Sequence, residues 1–227
     1  MEIALKLTEI NQRIYQAAVR AGRDPREVKL LAVSKTISAT VLQEAYRAGQ
    51  RDFAENRVQE WLNKAPALPE DCQWHIIGRL QTNKVKYLDQ RVSLIHSLDR
   101  LALLQQLEEQ GSRRDIIWRV LVQVNIARDM AKTGLLREEV ADFLIEAVNY
   151  PHVRVHGLMT IGSFEADSQE TRGFFRDLRR LRDDLEKDVP KKVTLNELSM
   201  GMSQDFEIAI EEGATMVRVG REIFGVR

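Results

Sequence analysis

A lysine stands just past a short apolar run in "KLLAVSKTIS", residues 29–38. Leu30 to Val33 read as a buried strand, and Lys35 falls at its tip. Two readings compete there. The side chain can lay its stem along the strand end and carry its ammonium into water. It can also sit desolvated, where burial disfavours the ammonium and frees the nitrogen lone pair to attack a carbonyl and form a Schiff base. A second pattern lies near the C-terminus, in "SMGMSQDFEIAIEEGATMVRVGREIFG". Its two turns, Ser199 to Ser203 and Gly220 to Glu222, have the makings of an anion cradle. Gly201 and Gly220 allow close approach of backbone amides, Ser199 and Ser203 offer hydroxyls, and a helix starting after Ser203 adds favourable potential at its N-terminus. The competing reading is ordinary turn chemistry, with Ser203 as the helix cap.

These groups need a scaffold that brings them together. Eight short runs rich in Leu, Ile and Val read as strands: "LLAV", "DFAE", "WHIIG", "SLIHSL", "WRVLVQVN", "VRVHGLMTIG", "TLNELSM" and "MVRVG". Between them lie helical patterns such as "SATVLQEAYRAG", "DRLALLQQLEEQG", "LREEVADFLIEAVN" and "TRGFFRDLRRLRDDLEK". Strands that alternate with helices, several of them apolar on both faces, indicate a parallel sheet of right-handed crossovers. Eight units in about 200 residues fit a closed (β/α)8 barrel of the TIM type, with an open doubly wound sheet as the alternative. Ile3, Leu7, Ile10, Ile14 and Ala17 mark one further helix, within residues 1–22, expected outside the barrel. No Pro/Gly/Ser-rich linker divides the chain, so a single domain over 1–227 is expected.

In such a barrel the chemistry sits where strands end. Lys35 follows the first strand, Asn56 the second and Asn125 the fifth; Met159 and Thr160 close the sixth, "SMGMS" the seventh and Gly220 the eighth, while His75 lies within the third. The polar groups converge on one rim. Lys plus Arg and Asp plus Glu number 34 each, so no global basic field exists to collect nucleic acid or an anionic membrane. Cys72, the only cysteine, has no disulfide partner within the chain, and the N-terminal residues lack a signal-peptide core. No run approaches the roughly 18 apolar residues of a membrane span, so the cytoplasm is expected. His96, His152 and His156 have no ligand spacing with Cys72, so no metal is expected. The arginines of "RDLRRLRDD" alternate with aspartates, as on a solvated helix face. A lysine and an anion cradle on one rim suit two ligands: a phosphorylated sugar held by an aldolase Schiff base, or pyridoxal 5'-phosphate.

The elements "LLAVSKT", "FAENRVQE", "WHIIGRLQTNK", "HGLMTIG", "LSMGMSQDFEIAIEEGATMVRVG" and "IFG" occur in an order and spacing that resemble the pyridoxal 5'-phosphate homeostasis protein family. The likeness runs from about Leu30 to Gly225. It implies a barrel like the N-terminal domain of alanine racemases, with pyridoxal 5'-phosphate as cofactor and Lys35 as the Schiff-base lysine. It also implies Asn56 and His75 as neighbours of the cofactor, together with Met159. Ser199, Gly201, Ser203, Arg218 and Gly220 match the elements that hold the phosphate and pyridine ends. Arg218 can face either end: at the pyridine nitrogen its permanent charge keeps that nitrogen unprotonated, and at the phosphate it acts as an anion clamp. Arg221 stands where many relatives carry a small hydroxyl residue. In "NIARDMAKTG", Lys132 and Gly134 match a "KxG" element of unassigned role.

The sequence stops at Arg227, close after the eighth strand, where the related racemases and decarboxylases append a β-domain that pairs two subunits. No second tyrosine or cysteine base is apparent at the rim, and general acid and base groups each contribute roughly 10²- to 10⁴-fold in rate. The expectation is a monomeric, non-catalytic carrier that holds pyridoxal 5'-phosphate, supplies it to apo-enzymes and takes part in vitamin B6 and amino-acid balance. A weak amino-acid racemase is the alternative, and a cofactor-free Schiff-base aldolase the third reading.

Overall fold

Eight parallel strands pair in sequence order and close, β8 back onto β1. The computed structural model describes residues 2–162, 166–190 and 192–225. Its strands are β1 (Lys29–Val33), β2 (Asp52–Glu55), β3 (Gln73–Ile76), β4 (Val92–Leu98), β5 (Trp118–Gln123), β6 (Val153–Met159), β7 (Glu197–Met202) and β8 (Met216–Val219). Each overlaps one of the runs read from the sequence, and the closed barrel is the alternative realised. The helices are α1 (Glu2–Arg20), α2 (Ala39–Arg47), α3 (Val58–Lys64), α4 (Leu101–Arg114), α5 (Val140–Ala147), α6 (Ser168–Leu185), α7 (Phe206–Glu211) and α8 (Arg221–Phe224). After β3 the crossover is a 3-10 turn, Thr82–Tyr87, rather than a helix. Two α-helices have no counterpart in the sequence reading: α3, which overlaps the "ENRVQE" element, and the short α8, which stands where a turn is expected from Gly220 to Glu222.

α1 buries Leu7, Ile10, Ile14, Ala17 and Ala18, one stripe at helical spacing, against α2, α7 and α8. Arg13 fastens the same contact from the polar side, donating through Nε to Glu207 at 2.8 Å and through Nη1 to Glu222. Most apolar burial lies between sheet and helices, around Phe53, Trp61, Trp74, Trp118, Phe175 and Phe206. A smaller apolar cluster, Leu31, Val33, Ala54, Leu94, Leu121, Met159 and Met216, fills the barrel itself.

The rest of the interior is polar. From the C-terminal side of the barrel, Arg218 Nη1 donates to Ser199 Oγ at 2.7 Å, and Nη2 donates to the Thr160 carbonyl at 2.8 Å. Ser199 Oγ lies 2.9 Å from His96 Nδ1, and His96 Nε2 lies 2.9 Å from His75 Nδ1. His75 Nε2 reaches Asp52 Oδ1 at 3.2 Å, at the opposite end of the barrel, where Lys29 Nζ approaches the same carboxylate at 3.5 Å. Burial pushes both imidazoles below their ordinary 6.5, His96 well below, where His75 and the Arg218 charge add to the effect.

A second buried polar cluster holds the β1–α2 turn. Lys64, at the end of α3, gives its ammonium to the Ser34 carbonyl at 2.8 Å, Glu55 Oε1 at 2.8 Å and Glu60 Oε2 at 2.9 Å. Ser34 Oγ also donates to Glu55 Oε1 at 2.7 Å, and Glu60 Oε2 accepts the Thr36 amide at 2.6 Å. Burial raises the Glu55 pKa in spite of Lys64 and Ser34; at Glu60 burial is outweighed by the Thr36 amide and Lys64, and the carboxyl is held low. Breaking a buried ion pair from one side leaves an uncompensated charge.

Two expectations follow from these clusters. Lys64→Met should destabilise the fold by about 3 to 5 kcal/mol in urea denaturation, and a loss under about 1 kcal/mol would show that the turn is held by other means. Both histidines stay neutral in the folded state at pH values where the unfolded chain binds protons, so stability declines as pH falls below 6.5. The decline is at most about 1.4 kcal/mol per pH unit for each histidine. Unfolding free energies at pH 7, 6 and 5 should therefore show a flatter dependence in His96→Phe than in the parent, and identical slopes would contradict it.

Candidate functional site

The strand ends and the loops after them enclose a cavity of about 1090 Å³. Lys35, Asn56, Ser203, Arg218 and Gly220 lie on its wall, together with Gly78, Arg79, Gln123, Lys132, Asp205 and Arg221. Contributions thus come from the C-terminal ends of β1, β2, β3, β5, β7 and β8, as barrel architecture places active and binding sites.

Lys35 lies two residues beyond β1, in a turn, and is exposed. Of the two readings open in the sequence, the solvent-reaching one is realised: the protein alone does not bury this nitrogen, because the strand ends at Val33 and Lys35 lies in the turn at the cavity mouth. Among the described residues, no side chain or carbonyl pairs with the Lys35 amine. The turn itself is tightly set. Thr36 has φ +66°, a left-handed conformation that costs a β-branched residue on the order of 1–3 kcal/mol. Its amide is held by Glu60, and the Ile37 amide closes the turn on the Ser34 carbonyl at 3.0 Å.

Asn56 sits where β2 ends, against the end of β3. A Cβ on Gly78 would stand 2.2 Å from the Asn56 carbonyl oxygen, so only glycine lets the two backbones approach this closely. Arg218 is buried; loss of solvation pushes its pKa down to about 10, against the pull of Asp205, and it remains a cation at neutral pH.

The structure leaves four of the expected residues behind the wall. Met159 belongs to the apolar cluster inside the barrel, and Ser199 and His75 belong to the polar row. Gly201 is turned toward α7: its φ is +89° and an added Cβ would lie 2.5 Å from that of Ala209, so this glycine serves helix packing. The expected cap also changes. Asp205, not Ser203, is the N-cap residue of α7, and its Oδ1 accepts the Met202 amide. The cradle therefore contains a carboxylate that the sequence reading did not anticipate; burial raises its pKa, opposed by the Met202 amide and Arg218.

Several wall residues were not singled out in the sequence, Arg79 and Gln123 among them. Gln123 Nε2 donates to the Thr133 carbonyl at 2.9 Å, which ties the β5 loop to its strand. Lys132 and Gly134 acquire a role in that loop. Lys132 Nζ donates to the Gly162 carbonyl at 2.7 Å, joining the loops after β5 and β6, and Gly134, at φ +128°, leaves room for the Asn125 amide. Among the described residues, no group of three or more His, Cys, Asp or Glu side chains could hold a metal ion. Cys72 is buried away from the cavity, its thiol pushed up to about 11 by burial. Among the described residues, Lys35, Arg79, Lys132, Arg218 and Arg221 share the wall with a single carboxylate, Asp205. The neutral chain therefore concentrates positive charge here, suited to an anion.

Comparison with known proteins agrees with this architecture. The family model for the alanine racemase N-terminal domain matches residues 5–227. Pyridoxal phosphate homeostasis proteins of Aquifex aeolicus and Pseudomonas aeruginosa are 45% and 40% identical, covering 100% and 99% of this chain and 99% and 96% of their own. PipY of Synechococcus elongatus, solved with PLP bound, superposes with a TM-score of 0.84 at 34% identity, over 98% of this chain and 100% of that one. An alanine racemase of Clostridium difficile shares the fold, with a TM-score of 0.77 at 15% identity over 57% of its length. A closed barrel matched over its full length by the family model and by these homeostasis proteins identifies the chain as a member of the pyridoxal phosphate homeostasis protein family, built on the alanine racemase N-terminal domain.

Proposed function

We propose that the chain binds pyridoxal 5'-phosphate in the cavity at the C-terminal face of the barrel and acts as a carrier in its homeostasis. The observation that carries this reading is one cavity wall bearing an exposed primary amine, Lys35, with Ser203, Gly220 and the buried cation Arg218. PipY, solved with PLP bound, and the naming of the curated relatives support it. When bound, the cofactor supplies an aldehyde that condenses reversibly with a primary amine. Lys35 would provide that amine, Ser203 and the Gly220 backbone would receive the phosphate, with Arg221 in reach as an additional cation, and Asn56 would border the ring. Arg218 suits the ring end: its guanidinium is bound by Ser199 and the Thr160 carbonyl inside the barrel, below the turns that form the cradle.

The non-catalytic part of the proposal rests on the wall. Among its described residues are no tyrosine, cysteine or histidine, the usual partners for moving a proton on an amino acid. Lys132, the other amine, is engaged with the Gly162 carbonyl. The exposed Lys35 favours exchange of cofactor with water and with competing amines. We take the chain as one unit over 1–227, monomeric and cytoplasmic, handing cofactor to apo-enzymes. Among the described residues no helix is long and apolar enough to cross a membrane.

Incubation with pyridoxal 5'-phosphate, borohydride reduction and peptide mapping should place the label on Lys35. Lys35→Ala should abolish the label while changing stability by less than about 0.5 kcal/mol, as for a surface substitution. Label at Lys84 or Lys132 in the parent would overturn the assignment. Pyridoxal lacking the phosphate should bind far more weakly, since each charge-assisted bond contributes about 1.5 to 3 kcal/mol; equal affinities would refute the cradle. Loaded protein should activate an added apo-enzyme yet leave amino acids unracemised. Turnover above about 1 s⁻¹ that disappears in Lys35→Ala would establish an enzyme instead.

A further inference from the structure

Each hydrogen bond in the row through the barrel can be given a direction. A guanidinium only donates, so Ser199 Oγ accepts from Arg218 Nη1 and keeps its one proton for His96 Nδ1. His96 then carries its proton on Nε2 and donates it to His75 Nδ1, and His75 donates from Nε2 to the Asp52 carboxylate. The reverse order fails at the far end. If His96 Nδ1 donated to Ser199, His75 would have to donate from Nδ1, and its bare Nε2 would face the Asp52 oxygen at 3.2 Å, lone pair against carboxylate. Asp52 is held ionised: burial opposes this, but His75 and Lys29 outweigh it. Both rings are fully buried, and neither lines the cavity.

We propose that His96 and His75 are positioning residues: a one-way relay that ties Arg218, through Ser199, to the Asp52 carboxylate at the opposite mouth of the barrel and fixes the guanidinium in the orientation it presents to a ligand. The Thr160 carbonyl holds the second terminal nitrogen, so the guanidinium is fixed at two points and its remaining N–H groups are left for the cavity. The relay also provides a partial counter-charge for a buried cation, carried as aligned dipoles across roughly the depth of the barrel rather than as a direct ion pair. The effect on pyridoxal 5'-phosphate rests on the functional reading above; the direction of the relay does not.

The direct test is long-range ¹H–¹⁵N correlation of ligand-free, histidine-labelled protein at pH 7. Both His75 and His96 should be neutral with the proton on Nε2. A proton on Nδ1, or an imidazolium, at either ring overturns the relay. The second arm uses His96→Phe, which keeps a ring and removes both nitrogens, and His96→Gln, whose amide restores one donor and one acceptor. His96→Phe should weaken pyridoxal 5'-phosphate about tenfold, move the absorption maximum of the bound ligand and leave the affinity for inorganic phosphate within about twofold. His96→Gln should recover most of the affinity and the parental absorption maximum. Unchanged binding in His96→Phe, an equal loss for both ligands, or no recovery in His96→Gln would reduce His96 to a packing residue. A parent protein that binds no pyridoxal 5'-phosphate would overturn the functional reading instead, and the tautomer spectrum would then decide the relay by itself.

Discussion

The position of Lys35 depends on an ammonium that never reaches the cavity. Lys64 binds a carbonyl on one side of the turn and two carboxylates, one of which, Glu60, holds the Thr36 amide on the other side. Without that clamp, a threonine in the left-handed region would relax toward the extended backbone it prefers. Side chain and main chain therefore differ: Lys35 is exposed at the mouth, while the residues before and after it are hydrogen-bonded in place. The proposed carrier role would use this combination, since the amine must be reachable yet be presented from a defined point. The clamp is not fully satisfied, because Glu55 Oε2 is buried without a hydrogen bond among the described residues. The raised pKa of Glu55 is the electrostatic counterpart of that unsatisfied oxygen.

The barrel interior follows from the same need to hold a charge in place. Barrels of this class normally fill their interior with branched apolar side chains. Here apolar packing from Leu31, Leu94, Leu121, Met159 and Met216 shares the space with two imidazoles, a serine and a guanidinium. Burying Arg218 alone would be costly, since an isolated charge loses its hydration. The Thr160 carbonyl, the Ser199 hydroxyl and the imidazole row replace that hydration with fixed dipoles. In the proposed binding mode the Lys64 clamp and the histidine row would serve two different ends of one ligand, the first through the turn that carries the amine and the second through the cation beneath it.

Much of this was legible in the sequence. Strand positions were readable because parallel barrel strands are short apolar runs separated by Gly and helical patterns, and all eight were found. The rim residues Lys35, Asn56, Ser203, Arg218 and Gly220 followed from strand ends together with the family resemblance. What could not be read was depth and direction. The exposure of Lys35 depends on a turn geometry that single-residue propensities do not encode. Ser199, His75 and Met159 occupy alternate positions that point into the barrel below the cavity, and telling them from wall residues requires the strand register. The Lys64 cluster joins residues from two crossover units, and the histidine row joins five strands; neither leaves a mark in local spacing. Asp205 replaced Ser203 as the cap because the chain makes one further turn before α7 begins.

The central claim is that one cavity receives pyridoxal 5'-phosphate with its aldehyde toward Lys35, its phosphate in the Ser203 and Gly220 turns and its ring nitrogen toward Arg218. A crystal structure of the protein soaked in the cofactor tests all three at once. The account predicts continuous density from the Lys35 side chain to the ring, phosphate oxygens within hydrogen-bonding distance of the Ser203 hydroxyl and the Gly220–Arg221 amides, and the ring nitrogen within reach of the Arg218 guanidinium. A phosphate bound to Arg218, or a ligand attached to Lys132 with Lys35 unmodified, would contradict it.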